Sequence, residues 1–268
     1  MDKTTMESTV EGNEMLRVIA GRTSTRKFAD AEVGDDKRAA ILRAASCAPS
    51  AGAMMMYSII DIRERATLER LSILCDNQPF IATAPWALVF VVDYRKWIDL
   101  FEYTGCFDPD FVAQTGKEPR REPNLGDFAI ACQDAIIAAQ TAALAAESLG
   151  VGSCYIGDII ENAEDVSELL DLPTHTIPLS MLVLGVPHKE RPAKEHPVCN
   201  LVMPERYMRA DRETLDGQVA EMDRIFRPHA TKSGARVRDI YTRKHTSEFM
   251  AEMDRSMGWW LDNWLGRR

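Results

Sequence analysis

The sequence lacks the features that mark disulfide frameworks and metal sites. Its six cysteines lie 22 to 45 residues apart with no C-x-x-C pair, and its five histidines show no H-x-x-x-H or H-E-x-x-H spacing. Zinc sites and small disulfide-rich folds need close spacing of ligands or paired thiols. We therefore expect reduced thiols that act as small apolar side chains, and no metal site.

The sequence also has no excess of positive charge, because 32 basic and 41 acidic residues give a net charge of -9. Binding to nucleic acid or to an anionic membrane needs a positive face, so the composition argues against both partners. The most apolar stretch, residues 128–149, contains Asp134 and Glu147, and a charge at the centre of a bilayer costs about 3 kcal/mol. We expect a buried helix there. Residues 1–12 lack the pattern of a signal peptide and are predicted to be a flexible leader of a cytoplasmic protein.

Helix and strand patterns alternate along the chain, which predicts an α+β fold with a sheet between helices. The predicted helices cover residues 13–19, 35–48, 64–74, 125–148, 163–170, 213–226 and 246–265, and the predicted strands cover 57–62, 86–92, 153–157 and 179–185. The run W-A-L-V-F-V-V is typical of a strand that is covered on both faces. Residues 105–124 carry three prolines and no periodicity, so they are predicted to form a long surface loop.

A candidate anion site follows the first helix, in the segment R-T-S-T-R-K-F. Arg22, Ser24 and Arg26 alternate along it, so in an extended backbone they point the same way. Two guanidinium groups and a hydroxyl can converge on a phosphate. The alternative interpretation is a solvated turn, since basic clusters of this kind are common.

Four motifs in order carry a resemblance to a known family. I-A-G-R-T-S-T-R-K-F is followed by A-A-S-C-A-P-S-A-G, then by N-Q-P-F-I-A-T-A-P-W-A-L-V-F-V-V-D and by A-A-E-S-L-G-V-G-S-C-Y-I-G-D-I. In these motifs the sequence resembles the nitroreductase / flavin reductase family, and most of all its NADPH-preferring, oxygen-insensitive branch. The resemblance implies a central mixed β-sheet flanked by helices. It also implies an FMN-binding domain over residues 13–204 and a C-terminal helical extension of the same unit, residues 205–268, which packs on a dimer partner.

The resemblance also implies which residues hold FMN. They are Arg22, Thr23, Ser24, Arg26, Ser50, Ala51, Gly52, Met55, Gln78, Tyr155, Ile156, Gly157 and Asp158. Gln78 is expected at the polar edge of the flavin ring, because a carboxamide both donates and accepts hydrogen bonds. For the cation beside the flavin N1/O2 edge, Lys194 is the first candidate and Arg191 the second. The alternatives are an ordinary turn at Ser50, a purely structural loop at Gln78, an ordinary strand end at Tyr155, and solvated surface charges at Lys194 and Arg191.

One segment departs from the family pattern. Many members have Asn and Gln side chains that touch the flavin, whereas this chain has Ala53, Met54, Met55 and Met56. We expect backbone groups or soft thioether contacts to replace those hydrogen bonds, and at least one methionine to belong to the core. The departure concerns flavin affinity and substrate choice rather than the fold.

The activity that the resemblance implies is that of an FMN-dependent NAD(P)H oxidoreductase with a ping-pong exchange. Hydride passes from NADPH or NADH to flavin N5, and then to a nitroaromatic, quinone or flavin acceptor. No side chain needs to be catalytic, since FMN carries the chemistry. The alternative is a flavin-binding or sensing protein of the same fold with little or no turnover.

The C-terminal region adds two expectations. Five basic residues lie within 232–244, and Arg236 and Arg238 are the candidates for the 2′-phosphate of NADPH, with solvated surface charges as the alternative. Burial of apolar surface predicts a second subunit. It would cover the apolar helix 125–148 and the three tryptophans at positions 259, 260 and 264. We expect a homodimer with the flavin at the interface, contacted by both chains.

Overall fold

The computed structural model describes residues 12–117, 121–189 and 201–268. The chain divides into two compact units, one formed by Met1–Pro192 with Met253–Arg268 and the other by Ala193–Glu252. The helices of the first unit are α1 (Glu14–Gly21), α2 (Asp35–Ser46), α3 (Arg65–Leu74), α4 (Pro79–Ala82), α5 (Arg95–Tyr103), α6 (Pro109–Thr115), α7 (Leu125–Ser148), α8 (Ala163–Leu169) and most of α11 (Glu248–Trp264), and its strands are β1 (Tyr57–Ile62), β2 (Trp86–Asp93), β3 (Gly152–Ile156) and β4 (Thr176–Gly185). The second unit contains α9 (Arg212–Phe226) and α10 (Ala235–Ile240).

The sheet has the strand order β1-β2-β4-β3, and β2 is buried along its whole length. This confirms the α+β class. The sheet is antiparallel at every strand pair and not mixed, and the parallel pairing among the described residues is one isolated bridge between Ser24 and Ser153. Ile62 at the end of β1 pairs with Ala87 near the start of β2, so α3 and α4 join these two strands at one end of the sheet. A parallel pair would need a crossover to the other end.

Helix α7 forms the centre of the first unit. Asn124 and Asp127 make a capping box at its start, and Gly150 at φ 71° follows its end. Its buried face consists of seven alanines and Asp134, and small side chains let the helix lie close to its neighbours. It is the one helix of the described chain that is long and apolar enough to cross a membrane. The packed alanine face identifies it as a core helix, as the sequence predicted.

The opposite face of α7 is not covered by the chain itself. Ile130, Ile136 and Ile137 are each about two-fifths exposed. Helix α1 likewise exposes Met15 and Ile19, and a cleft of about 670 Å³ lies between residues of α1, α2 and α7. Burial of α7 on all sides therefore does not occur within one chain.

The C-terminal part of helix α11, from Met253 onward, packs within the first unit. Trp260 and Trp264 are fully buried, and their indole N–H groups donate to the carbonyls of Ile160 at 2.8 Å and Asn124 at 3.1 Å. The chain itself therefore supplies the burial that these two tryptophans need. They no longer argue for a tail that packs on a partner.

The predicted loop of residues 105–124 contains a short helix, α6, so this prediction was wrong in part. Asp108 precedes the helix, Pro109 occupies its first turn and Gly116 at φ 63° ends it. Proline at the first helical position has no lost hydrogen bond and a suitable φ. Three prolines without periodicity predict a loop, but Pro109 at this position favours a helix.

Candidate functional site

The segment after α1 is extended, and its side chains alternate as the sequence predicted. Thr23 and Thr25 are 4% and 3% exposed and face inward. Arg22, Ser24 and Arg26 therefore share the outer side of the segment. Thr23, which the resemblance also assigned to FMN, turns its side chain to the buried side.

Two glycines allow this segment to lie against the sheet. A Cβ on Gly152 would lie 2.3 Å from the hydroxyl of Thr25, and one on Gly185 would lie 2.7 Å from the ring of Phe28. The close approach lets the N–H of Thr25 donate to the carbonyl of Ser153 at 2.9 Å. The second glycine of L-G-V-G-S, Gly152, is therefore needed because the segment packs too close to β3 for a side chain there.

The three polar side chains all act on the adjacent strand β3. Burial raises the pKa of the Cys154 thiol, while Arg26, a hydrogen bond with Ser24, and Arg22 oppose that rise. Burial raises the pKa of Tyr155 to about 12, again against the effect of Arg22. The Nη1 atom of Arg22 is buried and has no hydrogen-bond partner. A buried cationic donor without a partner is suited to an anionic ligand.

The N-Q-P-F loop joins this cluster to the end of β3. The Nε2 atom of Gln78 donates to the carbonyl of Cys75 and to a carboxylate oxygen of Asp158, both at 2.9 Å. Both bonds use the amide nitrogen, so Oε1 keeps its capacity to accept. On the other side, the guanidinium of Arg26 lies 5.8 Å from the ring centre of Phe80.

At the end of β3 the residues of Y-I-G have different surroundings. The hydroxyl of Tyr155 donates to Gln140 of α7 at 3.2 Å, and both line an apolar cleft of about 480 Å³. Ile156 is buried, so it can offer only its backbone to a ligand. Gly157 is exposed, and a Cβ there would meet nothing within 4 Å. A flat ring therefore has room to approach the backbone closely at Gly157.

The loop after α2 has an unusual backbone. Gly52, Ala53 and Met55 have φ values of 57°, 56° and 47°, which is the left-handed region that residues with a Cβ avoid. Met55 is 45% exposed, whereas Met56 is buried in the core. One of the three methionines thus belongs to the core, as expected, and another faces solvent.

Two remote side chains hold this loop. Asp134 of α7 accepts the N–H of Ala51 at 2.9 Å and that of Met56 at 3.2 Å, and the indole of Trp97 donates to the carbonyl of Met54 at 2.9 Å. In the sequence, Asp134 stands out only as a break in an apolar run. The signal was available, because an acid amid alanines in a buried helix needs partners.

In the second unit the predicted nicotinamide-binding arginines have partners of their own. Asp239 accepts from Arg236 at 3.0 Å, from Arg227 at 2.8 Å and from Arg243 at 3.4 Å. The guanidinium of Arg236 also lies 4.8 Å from the ring centre of Phe226. Three cations share one carboxylate, so the cluster keeps excess positive charge. Arg238 donates to the carbonyl of Ser233. Lys194 and Arg191 lie outside the described residues.

Together these features define an α+β protein in which Arg22, Ser24 and Arg26 form a candidate anion-binding site beside the exposed end of β3. The sequence model of the nitroreductase family matches residues 19–186 of the chain, and the chain belongs to that family. The resemblance seen in the four motifs is confirmed.

Curated relatives and solved structures agree with this assignment. The chain is 36% identical over 210 residues to an oxygen-insensitive NADPH nitroreductase of Salmonella typhimurium, which covers 77% of this chain and 81% of the relative. It is 30% identical over 175 residues to an FMN reductase (NADPH) of Bacillus subtilis, over 65% and 66% of the two chains. The structure of B. megaterium NfrA1 superposes with a TM-score of 0.79 at 26% identity, over 94% of this chain and 99% of the other.

Proposed function

We propose that the protein is an FMN-dependent NAD(P)H oxidoreductase that reduces nitroaromatic, quinone or flavin acceptors. The observation that carries the proposal is the buried Nη1 of Arg22, without a partner, beside Ser24 and Arg26 in the family's first motif. A phosphate would supply the missing acceptor, so the residues present fit the phosphate of FMN. Bound FMN supplies the hydride-accepting chemistry, which no side chain of the chain offers.

The chain's own residues bind and orient the cofactor in this proposal. Arg22, Ser24 and Arg26 bind the phosphate and ribityl end. Gln78, held by Asp158, offers its Oε1 to the polar edge of the ring, while the backbone at Ile156 and Gly157 lies along the ring. The cation near the N1/O2 edge is proposed to be Lys194, with Arg191 as the second candidate.

The Ser50 loop and the Arg22 cluster are proposed to meet across a homodimer. The loop, with Ser50, Ala51, Gly52 and Met55, is held by α7 and α5 rather than by the Arg22 segment. The uncovered apolar faces of α7 and α1 supply a surface that a second copy would bury. The cofactor would then touch both chains.

The remaining assignments are also proposals. Residues 13–204 are proposed to form the cofactor-binding domain and residues 205–268 its C-terminal extension, in a cytoplasmic protein, whereas residues 1–11 of the predicted leader lie outside the described residues. The 2′-phosphate of NADPH meets Arg236 and Arg238, and the excess positive charge around Asp239 supports a role for this region in anion binding.

The test is the visible spectrum of the purified protein, followed anaerobically after addition of NADPH and then of NADH. We expect flavin bands that bleach, and the faster donor defines the nicotinamide preference. Turnover with nitrofurazone or menadione then separates an enzyme from a sensing protein. Flavin bands that neither donor bleaches would favour the sensing protein, and failure to bind added FMN would contradict the proposal altogether.

A further inference from the structure

Asp134 is the one charged residue on the buried face of α7, and it is 2% exposed. Its carboxylate is not paired within the helix. One oxygen accepts the N–H of Ala51 and the other accepts the N–H of Met56. A buried acid is thus connected to two backbone groups that lie 78 and 83 residues away in sequence.

These two hydrogen bonds hold both ends of one loop. Between them lie Gly52, Ala53 and Met55, all with positive φ. Such a backbone persists in residues with a Cβ only where the surroundings fix it. Hydrogen bonds to an ionised acceptor are about twice as strong as neutral ones, so the carboxylate is suited to fix it.

We infer that Asp134 is a positioning residue of the cofactor site, which holds the loop from Ser50 to Met56 in the shape that receives FMN. The inference rests on the proposed function. Ser50 Oγ accepts the N–H of Met55 at 3.1 Å, so its own hydroxyl hydrogen remains to be donated to a ligand. Because Ala53 and the three methionines offer no hydrogen-bond donor side chains, the loop binds through this hydroxyl and its backbone. Their placement depends on Asp134.

The variant Asp134→Asn separates this role from simple packing. Asparagine has nearly the same volume, but it accepts through one oxygen only and would turn an NH₂ group toward one of the two N–H donors. The matched control is Asp127→Asn, which makes the same chemical change on the same helix. Asp127 caps α7 at Asn124 and pairs with Arg121, and has no contact with the loop among the described residues.

The readouts are the dissociation constant of FMN, measured by quenching of flavin fluorescence, and the thermal unfolding of the protein without flavin. We expect Asp134→Asn to raise the FMN dissociation constant about tenfold. Asp127→Asn should lower the melting temperature and leave the dissociation constant within about twofold of wild type. Equal dissociation constants in the two variants would overturn the inference while the proposed function stands. A wild-type protein that binds no FMN would overturn both.

A second measurement needs no variant and applies even if Asp134→Asn does not fold. Amide hydrogen exchange of the wild-type protein should show slow exchange at Ala51, although this residue is exposed, because its N–H is bound to Asp134. Addition of FMN should slow exchange further across residues 51–56. Exchange of the Ala51 amide at the rate of an unstructured chain, or a loop unaffected by FMN, would contradict the inference.

Discussion

The segment from Arg22 to Phe28 and the loop from Ser50 to Met56 solve different problems of ligand binding. The first presents charged and hydroxyl side chains from an ordinary extended backbone against β3. The second has few useful side chains and an irregular backbone that Asp134 and Trp97 hold from outside. Side-chain recognition is visible in a local motif, whereas backbone recognition depends on residues that are remote in sequence.

The largest effect should come from Gly152, on which the first region depends. In Gly152→Val the branched side chain would overlap Thr25, so we expect loss of about 3 kcal/mol or more of unfolding free energy and loss of FMN binding. The control is Gly258→Ala in α11, where a Cβ would meet nothing within 4 Å and should stabilise the helix by about 0.5–1 kcal/mol. Urea unfolding measures both. A Gly152→Val protein as stable as wild type would refute the packing argument.

Next comes the contrast between Arg22 and Arg26. Arg22 has a buried nitrogen without a partner, whereas Arg26 is exposed beside Phe80. We expect Arg22→Ala to weaken FMN binding by about 2 kcal/mol and Arg26→Ala by less, since exposed charges are screened. Isothermal titration with FMN gives both values. A larger loss for Arg26→Ala would reverse the order that burial predicts.

A smaller effect tests the strained backbone of the second region. Asparagine adopts positive φ more readily than methionine, so Met55→Asn should raise the unfolding free energy by about 0.5–1 kcal/mol. Thermal denaturation of the flavin-free protein measures the change. The same change at Met56, which is buried, should destabilise instead. Stabilisation at both positions would show that φ is not the cause.

An effect of similar size but opposite sign concerns the indole of Trp97. Trp97→Phe keeps an aromatic ring but removes the N–H that donates to the carbonyl of Met54, so we expect a loss of about 1 kcal/mol. Trp259→Phe is the comparison, because that ring also packs partly on the core. A stability loss at Trp97 without any change in FMN affinity would limit the holding role to Asp134.

The sequence predicted those parts of the fold that depend on local pattern. Strand β1 and helix α7 have the predicted bounds, because period and caps define them. The helix α6 was not predicted, because residues 105–124 carry three prolines and no periodicity. Antiparallel pairing was missed because pairing direction depends on how the connections run in space.

The same division applies to the candidate site. Alternation alone placed Arg22, Ser24 and Arg26 on one side, and the structure has this arrangement. No local pattern could predict that Asp158 pairs with Gln78 or that Asp134 reaches Ala51, since these contacts join residues 80 and 83 positions apart. The ion pair between Arg236 and Asp239 is local, since the two residues are one helical turn apart, and this spacing in the sequence predicts it.

The most direct test of the account is whether the two regions bind one FMN from two different chains. Arg22→Ala and Asp134→Asn chains carrying different tags are co-expressed, and the isolated mixed dimer is titrated with FMN. A site shared between chains predicts that one of its two sites binds FMN with the wild-type dissociation constant, because that site contains both wild-type regions. A mixed dimer in which no site binds FMN more tightly than the sites of the parent variants would contradict a shared site.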